Sequence, residues 1–146
     1  MPFIVNDHAD LALSVGADGV HVGQKDLPVA VVRRLVGAEM IVGASTNNAE
    51  EARRAEADGA DYVSVGRLFE TSSKENTRPA STETIREVKA AVSLPVCAIG
   101  GINESNIEEV IAAGADMVAV ISAVCSAPDP REAAWRLASR FTRTSR

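Results

Sequence analysis

The stretch GADGVHVGQKD, Gly16–Asp26, decides how the chain is read. Its first half returns as GADYVSV at Gly59 and as GADMVAV at Gly114, yet only the first copy continues into Gln24, Lys25 and Asp26. A glycine placed between an amphipathic stretch and a Val-rich run suits the position just past a helix, where positive φ stops the helix without a Cβ penalty. The repeats therefore predict helix-to-strand junctions at Gly16, Gly59 and Gly114. Asp18, Asp61 and Asp116 occur in every copy and read as scaffold, whereas the extension in the first copy reads as part of a site.

Outward from these junctions, short Val- and Ile-rich runs alternate with amphipathic segments. FIV, GVHV, MIVGA, DYVSV, PVCAI and MVAVI are the six predicted strands. Helices are expected near Ala9–Val15, Pro28–Val36, Ala49–Ala57, Thr82–Ala91, Glu104–Ala113 and Pro130–Phe141. Pro28 suits a first helical turn, Asn47 precedes Glu50 at capping-box spacing, and Asn103 can cap the helix after IGGI. Alternating βα units with short connections imply a parallel sheet covered by helices, either open and doubly wound or a (β/α)8 barrel. No GxGxxG follows the first strand, which favours the barrel. Closure takes eight units and six are legible, so the expected fold is α/β, a partial TIM barrel of six parallel βα units forming a single domain over residues 1–146.

The chain's 146 residues, 46% apolar, give a soluble globular composition, and a net charge of −5 without a basic block argues against a nucleic-acid surface. The start, MPFIVNDHAD, lacks the basic and apolar regions of a signal peptide, and no run approaches a membrane span, so a cytoplasmic location is expected. Cys97 and Cys125 sit in apolar runs without CxxC spacing and are expected in the core.

In either architecture the working face lies at the C-terminal ends of the strands. The loops there are Asn6–His8, Gly23–Asp26, Ser45–Asn48, the long Gly66–Ser81, Ile99–Asn103 and Ile121–Ala123. Asp7 and Asp26 follow consecutive strands and can share one Mg²⁺, although both can equally cap the following helices. Gly100 and Gly101, with the Ile121–Ala123 loop, occupy the place where barrels commonly bind phosphate through backbone N–H groups, while a glycine pair also suits a tight turn. Thr71, Ser72, Ser73 and Lys74 supply donors for phosphate oxygens from a long loop that otherwise reads as a solvated segment. His21 alternates with Val20 and Val22 and reads as a hydrogen-bonded core histidine rather than a catalytic one, and His8 has no evident partner.

FIVNDHADLALSVGADGVHVGQKDLP, GASTNNAEEARRAEADGADYVSVG, TSSK and AIGGINESNIEEVIAAGADMVAVISAV together resemble the thiamine-phosphate synthase family, whose members are (β/α)8 enzymes. The resemblance implies a transferase that joins hydroxymethylpyrimidine diphosphate to thiazole phosphate with Mg²⁺ and releases pyrophosphate. It implies Asn6, Ser45 and Lys74 at the pyrimidine diphosphate, and Asp7 and Asp26 on Mg²⁺. It further implies Thr71, Ser72, Ser73, Gly101, Ile121 and Ser122 at the thiazole phosphate. No side chain is assigned as nucleophile or as general acid or base.

The chain departs from the family pattern in places. Synthases usually begin with two further βα units carrying a Gln-x-Arg-x-Lys motif, and without that segment little synthase activity is expected. Arg67 and Glu70 occupy positions where prolines are usual, and Asn47 replaces a usual His. The thiazole tautomerase branch is the nearest enzymatic alternative, echoed by Phe69–Thr71, but it places a catalytic His at the position of Arg67 and lacks the Asp7–Asp26 pair. A non-catalytic phosphate-binding fragment is the alternative from a different class. Six strands leave the first and last as open edges, so either self-association or marginal stability of the isolated chain is expected, with small phosphorylated molecules as the other partners and neither nucleic acid nor membrane.

Overall fold

The helix before each repeated glycine ends as the sequence requires. In the computed structural model, which describes residues 1–70 and 78–143, Gly16, Gly59 and Gly114 have φ of 63°, 94° and 94°. The Gly16 N–H donates to the Leu13 carbonyl and the Ala17 N–H to the Ala12 carbonyl, and Gly59 and Ala60 repeat both bonds with Glu56 and Ala55. These paired bonds satisfy carbonyls that a helix end otherwise leaves open.

The repeated aspartates then tie neighbouring strands together at their N-terminal ends. The Asp18 N–H donates to the Phe3 carbonyl while its carboxylate accepts the Phe3 N–H at 2.6 Å. Asp61 makes the same reciprocal pair with Val42, and Asp116 with Val96. Arg33 adds an ion pair to Asp61, and Lys89 one to Asp116. Burial alone would raise the Asp116 carboxyl, but the Lys89 ammonium and the Val96 N–H outweigh it and hold the group below its ordinary range. The scaffold reading of these three residues holds.

The strands are β1 Ile4–Asn6, β2 Gly19–Val22, β3 Ile41–Thr46, β4 Tyr62–Val65, β5 Val96–Ile99 and β6 Met117–Ala119. All neighbours pair in parallel, in the order β1-β2-β3-β4-β5-β6. Sequential order with a helix between strands is the barrel pattern, not the doubly wound one, whose order reverses at a switch point. Among the described residues β1 and β6 each pair on one side only.

The helices are α1 Ala9–Ser14, α2 Val29–Val36, α3 Ala49–Ala57, α4 Thr82–Ala91, α5 Ile107–Ala112, α6 Ser122–Cys125 and α7 Pro130–Arg143. Strand residues that face them, including Val20, Val42, Val63, Val65, Val96 and Ala98, are almost fully buried against Val32, Ile85, Val88, Ile107 and Val110. Each such valine or isoleucine contributes roughly 1.5–3 kcal/mol.

Several boundaries depart from expectation. Pro28 precedes α2 as its N-cap. Asn48, not Asn47, caps α3 by accepting the Glu51 N–H, while the Asn47 N–H donates to the Glu51 carboxylate. The capping geometry is thus displaced by one residue, because β3 runs on to Thr46. Asn103 caps a turn through Ser105, and α5 begins four residues later with Asn106 at its N-cap. Helix α6 lies where a loop was expected. Cys97 is buried and its thiol is pushed up to about 11 by that burial, but Cys125 is exposed, which corrects its core assignment.

Candidate active site

The C-terminal ends of the strands surround a cavity of about 720 Å³, within the range of small-molecule sites. Its wall includes Asn6 and Asp7 from the end of β1, Asp26 after β2, and Ser45 near the end of β3. Gly101 after β5, and Ile121 and Ser122 after β6, complete the set of expected site residues that the structure describes. Thr71, Ser72, Ser73 and Lys74 lie outside the described residues.

Asp7 and Asp26 share both this cavity and a shallower adjoining cleft that also takes in His8. Asp7 has φ of 67°, the left-handed region that Asp and Asn tolerate best among residues with a side chain. Its N–H donates to the His21 carbonyl at 2.8 Å, which continues the β1–β2 ladder to the cavity edge. The Asp26 carboxylate accepts the Gly23 N–H at 2.7 Å and so holds its own loop closed. The expected alternative of helix capping is not what either residue does: α1 is preceded by His8 and α2 by Pro28.

The cavity floor is a polar network that sequence reasoning reached only in part. His21 Nδ1 meets the Tyr62 hydroxyl at 2.9 Å, and Nε2 meets the Ser45 hydroxyl at 2.9 Å, with Ser64 at 3.4 Å. Each ring nitrogen therefore has a hydroxyl partner in either tautomer, since a hydroxyl both donates and accepts. The Tyr62 ring fills the space above Gly43 and contacts the His21 ring. Burial pushes the Tyr62 phenol up to about 12, so it stays protonated and available as a donor. The strand period signalled this floor: Tyr62 and Ser64 alternate with the buried Val63 and Val65.

Gln24 and Arg78, to which the sequence pattern gives no role, also line the cavity. The Gln24 side-chain amide donates to the Ser45 carbonyl at 2.7 Å, fastening the second loop to β3. Arg78 forms two bonds of 2.8 and 2.7 Å to Glu51, and Asn47 donates to the carbonyls of Gly66 and Arg78. The bonds from Arg78 are the leading cause that holds the Glu51 carboxyl below its ordinary range. Together these contacts anchor both ends of the long loop to the start of α3.

The model of the family described as thiamine monophosphate synthase matches residues 1–124. The chain belongs to the thiamine monophosphate synthase family. A thiamine-phosphate synthase of Moorella thermoacetica is 54% identical over 142 residues, which cover 97% of this chain and 68% of that relative. A thiamine-phosphate synthase of Clostridium tetani is 45% identical over 141 residues, with the same two coverages of 97% and 68%. Among solved structures, the thiamine phosphate pyrophosphorylase of Pyrococcus furiosus superposes with a TM-score of 0.90 at 41% identity, covering 98% of this chain and 68% of its own. The expected family and the partial TIM-barrel fold are thus found in both sequence and structure.

Proposed function

We propose that this chain is a transferase that joins hydroxymethylpyrimidine diphosphate to thiazole phosphate and releases pyrophosphate, acting in thiamine biosynthesis. The observation that carries the reading is that one cavity is lined by Asn6, Asp7, Asp26, Ser45, Gly101, Ile121 and Ser122, contributed by five strand ends. In this reading Asn6 and Ser45, with Lys74, bind the pyrimidine diphosphate. Gly101, Ile121 and Ser122, with Thr71, Ser72 and Ser73, bind the thiazole phosphate.

The bond that breaks joins the pyrimidine methylene carbon to a diphosphate oxygen, which leaves with the electron pair. The bond that forms joins that carbon to the thiazole nitrogen. No protein nucleophile is required, and orientation of the two substrates supplies much of the barrier reduction. Two carboxylates on one wall fit Mg²⁺, which takes one or two carboxylates and fills its shell with water and phosphate oxygens. Asp7 and Asp26 would hold the ion, which when bound supplies positive charge for the departing diphosphate. The Ser45 hydroxyl is oriented by His21 rather than left to rotate freely.

Purified chain given both substrates and Mg²⁺ is expected to release pyrophosphate only when both substrates are present, and at a low rate without the Gln-x-Arg-x-Lys segment. Failure to bind thiazole phosphate, together with no pyrophosphate release, would overturn the reading. No helix among the described residues is long and apolar enough to cross a membrane, and the proposed location is the cytoplasm. The proposed organisation is a single domain over residues 1–146 that self-associates through β1 and β6, whose outer edges are unpaired among the described residues. Sedimentation is expected to show a dimer or larger species; a sole species at 15.3 kDa would refute edge pairing.

A further inference from the structure

We propose that the Arg67 guanidinium binds the phosphate of thiazole phosphate where that group lies against the Gly100–Gly101 turn. The proposal rests on the synthase reading of the same cavity and adds a ligand that the reading does not assign.

Arg67 begins the long loop after β4 and lines the cavity. Its backbone is fixed on both sides: its N–H donates to the Arg78 carbonyl at 3.0 Å, and its carbonyl accepts the Ala80 N–H at 2.7 Å. The next two N–H groups, from Leu68 and Phe69, donate to the carbonyls of Ile99 and Gly100. The side chain therefore starts from a defined place directly over the glycine turn. A Cβ at Gly100 would lie 2.7 Å from the Arg67 Cα and 3.1 Å from its Cγ, so only glycine admits this side chain there.

The Arg67 side chain is half-buried, and among the described residues its guanidinium has no hydrogen-bond acceptor. The Arg67 side chain is 27% exposed, and among the described residues its one ionic neighbour is Glu70 at 3.7 Å. That separation is too long for a hydrogen bond, and a carboxylate that is 94% exposed interacts mainly with water. Arg33, covered to a similar degree, is saturated: it donates to the carbonyls of Gly37, Met40 and Gly59 and to the Asp61 carboxylate. Arg78 on the same cavity wall has its bidentate partner in Glu51. Arg67 alone of these three presents its fork of donors without an acceptor among the described residues. A planar fork of charged donors matches the oxygens of a phosphate. Gly100 and Gly101, with φ of 104° and 66°, let the Arg67–Glu70 backbone pack directly on the turn: a Cβ at Gly101 would lie 2.7 Å from the Glu70 carbonyl oxygen.

The test is calorimetric binding of thiazole phosphate, its unphosphorylated alcohol, and the pyrimidine diphosphate to wild type, Arg67→Gln and Arg67→Lys. Arg67→Gln is expected to weaken thiazole phosphate by about 10- to 100-fold, with Arg67→Lys intermediate. The alcohol and the pyrimidine diphosphate are expected to bind all three proteins alike. Equal weakening of alcohol and phosphate would make Arg67 structural, and loss confined to the diphosphate would move it to the other substrate; either result overturns the proposal. Unchanged thiazole phosphate affinity in Arg67→Gln overturns it as well. The synthase reading falls separately, if wild type binds neither phosphorylated substrate. Because the Arg67 backbone carries the loop contacts, both variants are expected to keep the wild-type urea midpoint. Should Arg67→Gln unfold more readily, the lysine variant decides by the same ligand comparison.

Discussion

Asp26→Asn will lower the rate of pyrophosphate release by about 100-fold or more, because in the proposed reading it removes an anionic ligand of Mg²⁺ and with it several kcal/mol of charge stabilisation from the departing diphosphate. The substitution is chosen to separate two roles of one carboxylate. Asp26 accepts the Gly23 N–H at 2.7 Å, and an asparagine carbonyl oxygen can accept the same bond, so the loop keeps its tie while the charge disappears. Asp7→Asn makes the same separation, since the left-handed backbone at φ of 67° suits asparagine as well as aspartate. Both variants are expected to fold normally and to need higher Mg²⁺ for whatever rate remains. Initial rates across a Mg²⁺ series decide the matter. Wild-type rates with an unchanged Mg²⁺ dependence in both variants would show that these carboxylates serve the loops alone.

The barrel-type order was legible because its junctions are encoded locally. A glycine at φ of 94° and an aspartate that pairs with the preceding strand lie within three residues of each other at Gly59–Asp61, so a three-letter repeat reports them directly. The face that carries the loops was legible for the same reason, because parallel pairing puts all the strand ends on one side. Contacts between distant segments left no such trace. Arg78 and Glu51 are 27 positions apart, and nothing in TRPAS marks the arginine as the partner of an α3 glutamate. Gln24 was conspicuous as part of GQKD, yet its bond to the Ser45 carbonyl depends on how two loops pack. The cap of α3 was displaced because β3 has Ser45 and Thr46 as its last residues, polar side chains that read as loop but occupy ladder positions facing the polar floor and the buried layer. Cys125 was misjudged for a related reason, since a short helix at the sheet edge leaves an apolar sequence exposed.

Gly66→Ala will destabilise the chain by about 3 kcal/mol or more, at the upper end of the usual cost of overpacking. An added Cβ would stand 2.2 Å from the Ile99 carbonyl oxygen and 2.6 Å from the Ile99 Cγ2. The oxygen belongs to the last residue of β5 and also accepts the Leu68 N–H, so it cannot retreat without opening the contact between the long loop and the glycine turn. The Gly66 carbonyl meanwhile accepts the Asn47 side-chain amide at 3.0 Å, which holds the glycine from the other side. Strain at this position therefore passes into the cavity wall, and thiazole phosphate binding is expected to weaken together with stability. Gly16→Ala supplies the comparison, because a Cβ there meets nothing within 4 Å and the cost is only that of φ at 63°, roughly 1 kcal/mol. Urea unfolding of the two variants at constant m reads the difference. Equal losses at Gly66 and Gly16 would mean that backbone conformation, and not the close approach of the β4 and β5 ends, dictates glycine at the mouth of the site.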